Sequence, residues 1–137
     1  MINTLSNEVK NEKETRKAEQ KASLEKKAAF LAIGIFKVVE EKQSTLFSSD
    51  GNSFTIKVDD VPEDYIMKNK SVMEAYIGDE PSADDIWKQI IDETFGCSHK
   101  FTKGFIALNA QLEKLDEDFK DWCAEIRRDY SVTFYKA

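Results

Sequence analysis

The sequence predicts an α+β fold: a long N-terminal helix, a β-hairpin, a short helix, and a long C-terminal amphipathic helix packed on a small antiparallel sheet completed by the C-terminal strand. Three observations predict it. Phe101, Phe105, Leu108, Leu112, Leu115, Phe119, Trp122 and Ile126 follow one another at alternating steps of four and three. That spacing places them on one stripe of a helix, here read from Phe101 to Tyr130. Asp50-Gly51 lies between two β-prone runs, a strong signal for a two-residue hairpin turn. Pro and Gly number only 2 and 5 in 137 residues, which favours long elements over a heavily punctuated chain.

The elements follow in order. Residues 6–27 lack Gly and Pro and carry charges of both signs, a helix-friendly composition with few apolar positions, Val9, Ala18, Ala22 and Leu24. A helix polar all round projects into solvent or needs a partner. Residues 1–27 are therefore expected to form a polar helical arm, and 28–137 one compact α+β domain. Residues 28–39 are apolar on every side. A strand is the rival reading, because Ile, Phe and Val suit strands. Continuation of the helix to about Glu41 is preferred, since no turn signal precedes it. In the hairpin over 43–58, Phe47 should face Phe54 and Thr45 should face Ile56. Residues 59–81 are acidic and irregular. Ser71 and Glu74 could cap a short helix there, or 71–77 could be a strand. Ser82 followed by Asp85 is a capping pattern, and Gly96 is placed to stop the helix between them. The apolar face of that helix holds Ile86, Trp87, Ile90, Ile91 and Phe95. The tail, 131–135, alternates and should join the hairpin in a sheet of about three strands, because an isolated hairpin is marginal.

The net charge is -6, unevenly spread: residues 1–42 hold 9 Lys/Arg and 7 Asp/Glu, whereas residues 59–93 hold 3 Lys and 11 Asp/Glu. An acidic chain is poorly suited to direct nucleic-acid binding, which needs cations against phosphates. Two cysteines without a signal-type segment point to reduced thiols and a cytoplasmic setting. No apolar run reaches the roughly 18 residues needed to cross a bilayer.

Chemistry is thinly represented. Cys97 and His99 are the only Cys-x-His pair, and structural zinc sites need four ligands, usually as two close pairs. The same two residues lack any surrounding signature of a nucleophile and base. The Gly residues are too dispersed for a phosphate loop. No catalytic residue, metal ligand or cofactor is therefore expected. Tyr65, Tyr76, Tyr130 and Tyr135 are candidate interface aromatics, although single surface aromatics are ordinary. The remaining signal is acidic: Asp59, Asp60, Glu63, Asp64, Asp79, Glu80, Asp84 and Asp85. Adjacent acids usually form a solvated face. Their alternative use is to dock a basic protein surface, standing in for phosphates.

In size, acidity and absence of catalytic signature the chain resembles, in type and not by motif, the small inhibitor or adaptor proteins of phages and mobile elements. The leading expectation is a non-enzymatic protein-binding module whose acidic face docks a basic, nucleic-acid-binding surface. The second is a structural homo-oligomer, such as a homodimer, assembled through the long helices. The third is a small-ligand binder or enzyme.

Overall fold

The computed structural model describes residues 2–42, 45, 47, 51–73, 80–96 and 102–136, with 2–15 as backbone. The order is α1 (Ile2–Lys42), β1 (Ser53–Ile56), α2 (Glu63–Lys68), α3 (Ala83–Phe95), α4 (Thr102–Leu115), β2 (Trp122–Ile126) and β3 (Val132–Lys136). Short 3-10 turns cover Val58–Asp60, Lys70–Val72 and Glu117–Asp121. This is the α+β class expected, with the C-terminal strand in a three-stranded antiparallel sheet of order β1-β3-β2.

Helix α1 runs unbroken through the apolar stretch, in keeping with the preferred reading of 28–39. Ala28, Leu31, Ile35 and Val38 recur at steps of three and four and are buried, and α1 packs chiefly on α4 and also on α3. Gly34 looks like a weakness in a helix, but it faces α3. A Cβ there would lie 2.8 Å from the Trp87 ring, so the missing side chain lets the indole rest on the α1 backbone. Phe30 flanks that contact, stacked on Tyr65 at 5.2 Å between ring centroids. The Tyr65 hydroxyl donates to the Phe30 carbonyl at 2.7 Å. One indole thus ties α1, α2 and α3 together.

Helix α3 begins and ends where the sequence places it. Ser82 accepts from the Asp85 N–H, Asp85 accepts from the Ser82 N–H, and Gly96 closes the helix at φ 78. Gly104, near the start of α4, has an equally specific use. A Cβ on it would collide with the Thr94 carbonyl oxygen, so only glycine lets α4 cross the last turn of α3.

The C-terminal helix is shorter than expected. It stops at Leu115, and the chain continues through the Glu117–Asp121 turn into β2; the expected helix from 116 to 130 is therefore corrected. Two physical causes act together. Asp116, Glu117 and Asp118 would put negative charge at the negative end of the helix, and the Asp116 carboxylate instead accepts the Asp118 N–H. The tail also needs partners: β3 is central, pairing with β1 on one side and β2 on the other. Trp122 and Ile126 are four apart, a spacing that a strand satisfies as well as a helix. On the strand, Trp122, Ala124 and Ile126 share the core face with Phe54, Ile56, Val132 and Phe134.

On the N-terminal side of β1, Phe47 does pair with Phe54, as a single bridge. Thr45 does not face Ile56; its hydroxyl donates to the Lys42 carbonyl, and the described partner of Ile56 is Val132. Gly51 takes the positive φ of a turn, while Asp50 lies outside the described residues. So do 74–79, and with them most of the helix-or-strand alternative for 71–77; Ser71 itself belongs to the 3-10 turn.

The β2–β3 hairpin closes on three residues, Arg128, Asp129 and Tyr130. The Tyr130 N–H bonds the Arg127 carbonyl, and the Arg127 N–H bonds the Ser131 carbonyl. The third loop position is left-handed, and Tyr130 occupies it at φ 66, where glycine is the usual residue. The strain, of order 1 kcal/mol or more, is held by anchors. The Tyr130 hydroxyl donates to Asp92 of α3 at 2.9 Å, and the Lys88 ammonium lies 5.7 Å from the centre of its ring.

Two stability changes follow. Gly104→Ala lowers the free energy of unfolding by about 1–3 kcal/mol, because a backbone carbonyl cannot move aside; an unchanged denaturant midpoint would refute the close crossing of α3 and α4. Tyr130→Phe loses about 1 kcal/mol in the same assay, and no loss would mean that ring packing alone holds the loop.

Candidate acidic docking face

Six of the acidic residues, Asp59, Asp60, Glu63, Asp64, Asp84 and Asp85, sit on three short pieces of chain that pack together. The Val58–Asp60 turn and α2 both lie against α3, with Val61, Ile66, Ile86 and Trp87 buried beneath them. Helix α2 was not expected from the sequence. Its signal was present: Pro62 stands at the N-cap and two acids, Glu63 and Asp64, fill the first turn, as suits a helix N-terminus.

The eight expected residues divide by what they touch. Asp60 is committed to the fold: it accepts from Lys42 Nζ at 2.6 Å and from the Lys57 N–H at 2.9 Å, fastening the end of α1 to the turn. Partial burial pushes its carboxyl up, but those two hydrogen bonds and the lysine charges outweigh it and hold the group below its ordinary 3.8. Asp85 belongs to the capping box of α3. Asp84 pairs with Lys88 at 2.9 Å, one turn along α3. The Asp84 hydrogen bond and charge raise the Lys88 ammonium above its ordinary value, and the charges of Asp85 and Asp59 act on it in the same direction. Asp59 therefore shares one electrostatic field with the start of α3.

Asp59, Glu63, Asp64 and Glu80 are exposed. Asp79 lies outside the described residues. Asp92 and Glu93, which add to the charge of the 59–93 stretch, point to other tasks: Asp92 accepts from Tyr130, and Glu93 meets Lys27 at 3.7 Å, where the lysine side chain is 5% exposed. The structure thus separates carboxylates that brace the frame from four that face outward, a division that a sum of charges cannot reveal.

The other candidates fare as follows. Tyr65 and Tyr130 are half-buried and hydrogen-bonded within the fold, while Tyr135 is exposed on the outer side of the sheet. Burial raises the Tyr65 phenol above its ordinary value. Cys123 is a half-buried free thiol; Tyr76, Cys97 and His99 lie outside the described residues. Among the described residues, no group of three or more His, Cys, Asp or Glu is placed to hold a metal ion, and no helix is long and apolar enough to cross a membrane. No protein-family model, curated protein or solved structure matches the chain. What is established is its class by architecture: an α+β protein with a long N-terminal helix and a small antiparallel sheet.

Asp60 gives the face a pH signature. Its folded value is lowered, so its contribution to stability is present above the unfolded value and is lost as pH falls through the folded one. Asp60→Asn destabilises the protein near neutral pH, and the difference from wild type shrinks as pH falls below 3.8. A difference independent of pH, measured by urea unfolding, would show that the Lys42 contact does not involve the ionised carboxylate.

Proposed function

We propose that this chain is a non-enzymatic protein-binding module, an inhibitor or adaptor of the kind phages and mobile elements encode. Its outward carboxylates Asp59, Glu63, Asp64 and Glu80 dock a basic protein surface of the kind that binds nucleic acid. The observation that carries this reading is the division of the acids. Asp60, Asp84 and Asp85 engage a lysine, a lysine and a helix N-terminus respectively. Asp59, Glu63 and Asp64 stand on the frame those contacts brace, and exposed Glu80 lies two residues before the Ser82 cap of α3. Carboxylates on a fixed frame keep their mutual spacing, and complementary fields steer a basic partner and set its register.

Replacing Asp59, Glu63, Asp64 and Glu80 together by Lys tests it. Lys at 63 and 64 loses the acids that suit the start of α2, at about 0.3–1 kcal/mol each, so a thermal melt first checks that the variant stays folded. In pull-downs from the source cell, wild type should recover basic proteins that raised salt elutes, and the variant should lose them. Equal recovery by both, or recovery insensitive to salt, would overturn the docking face.

A further inference from the structure

We propose that β2 pairs with β2 of a second copy of the chain, antiparallel and edge to edge, so that two three-stranded sheets become one. The inference concerns the sheet and stands apart from the acidic face, whose residues lie on other segments.

The β2–β3 hairpin fixes which backbone groups are offered. The Arg127 N–H bonds the Ser131 carbonyl, and in an antiparallel ladder successive residues alternate between facing the partner strand and facing away. Counting back from Arg127, Glu125 and Cys123 turn their N–H and C=O groups to β3. Trp122, Ala124 and Ile126 turn theirs to the outer edge, where among the described residues the sheet has no further strand. The Trp122 N–H is taken by the Phe119 carbonyl. The N–H groups of Ala124 and Ile126 and the carbonyls of all three point outward together.

Such an edge is a template for another strand, and proteins usually blunt it with Lys, Pro, a bulge or an inward charge. Trp122–Ile126 has none of these. It holds no Lys, Arg or Pro, it pairs residue for residue with β3, and its core-side residues, Trp122, Ala124 and Ile126, are apolar. The opposite edge is different, because Phe47 bridges to Phe54 on the outer side of β1.

The sequence of β2 suits a copy of itself. A two-fold pair relates each residue i to j and j to i. Centring on Ala124 overlaps the whole strand. It sets the outward groups of Ala124 against each other and those of Ile126 against those of Trp122, giving about four backbone hydrogen bonds. The side chains agree with that register. Trp122 meets Ile126, an aromatic and β-branched pair of the kind that stabilises sheets. Glu125, the one charge in β2, meets Cys123 rather than its own copy. One residue beyond each end, Asp121 comes level with Arg127 of the second copy, and Arg127 with Asp121. Both are exposed, so the two-fold axis makes two opposite-charge pairs. Arg127 already donates through Nε to Thr133 at 2.9 Å, which uses one of its five donors and tethers the guanidinium to the sheet.

Light scattering and amide hydrogen exchange on the full chain decide the matter. Wild type should reach twice the protomer mass as concentration rises. The amides of Ala124 and Ile126 should slow in step with it, while those of Cys123 and Glu125, bonded to β3, stay slow throughout. Ala124→Pro removes an outward N–H and leaves the β2–β3 bonds in place, so it should fold, which circular dichroism checks, and stay monomeric. Asp121→Arg and Arg127→Asp should each weaken self-association about tenfold or more, because two attractive pairs become repulsive. Their equimolar mixture should regain wild-type association, because each variant then complements the other. A wild-type monomer at every concentration, a dimer whose Ala124 and Ile126 amides stay fast, or a folded Ala124→Pro that dimerises would each overturn the pairing. So would charge variants that associate like wild type, or a mixture no tighter than either alone. Protection of those two amides only on adding another protein would also overturn it, and would make the edge a site for a foreign strand.

Discussion

The contact on which the rest of the structure depends is the Trp87 indole against the bare backbone of Gly34. It fixes how closely α3 approaches α1, and Phe30 and Tyr65 close around it. Because the Val58–Asp60 turn and α2 rest on α3, the same contact sets where the acidic segments stand relative to the long helix. Buried side chains in a close-packed interior have few alternative arrangements, so one aromatic ring positions both the frame and the charges carried on it.

The sheet adds a second constraint. Its central strand comes from the last residues of the chain, with neighbours drawn from Ser53–Ile56 and Trp122–Ile126. Both pairings require α4 to stop early enough for the chain to turn back. The acids after Leu115 accomplish that. The tight loop that follows holds a tyrosine at a glycine-type position, anchored to α3 through Asp92. The hairpin is therefore fastened to the same helix that organises the acidic face.

Much of this was legible in the sequence because the relevant signals are local. Ser82, Asp85 and Gly96 mark the two ends of α3, since capping depends on residues within a turn of each other. The continuity of α1 followed from the absence of a breaker, and Phe47 opposite Phe54 from the Asp-Gly turn. What was illegible was relational. The step of four between Trp122 and Ile126 fits both helix and strand, and only the demand of β3 for a second neighbour decides between them. A glycine within a helix is ordinarily a weak point, and the use of Gly34 and Gly104 shows only when Trp87 and Thr94 are seen against them. The acidic residues stand out in the sequence as one group of candidates. Their separation into bracing and outward-facing carboxylates depended on Lys42, Lys88 and the Lys57 N–H, of which only the Asp84–Lys88 spacing is visible along the chain.

The Lys42–Asp60 brace at one end of α1 and the buried Lys27–Glu93 pair near its middle both presuppose that α1 is a single helix passing from the exposed residues 16–22 into the core. The most direct measurement of that is a distance between spin labels at Ala18 and Glu40, both exposed, in a protein whose Cys97 and Cys123 have been replaced by Ser. A continuous helix gives one narrow distribution centred near 33 Å between the two backbone positions, the same at low and high salt. A broad distribution, or one centred well below that distance, would contradict it.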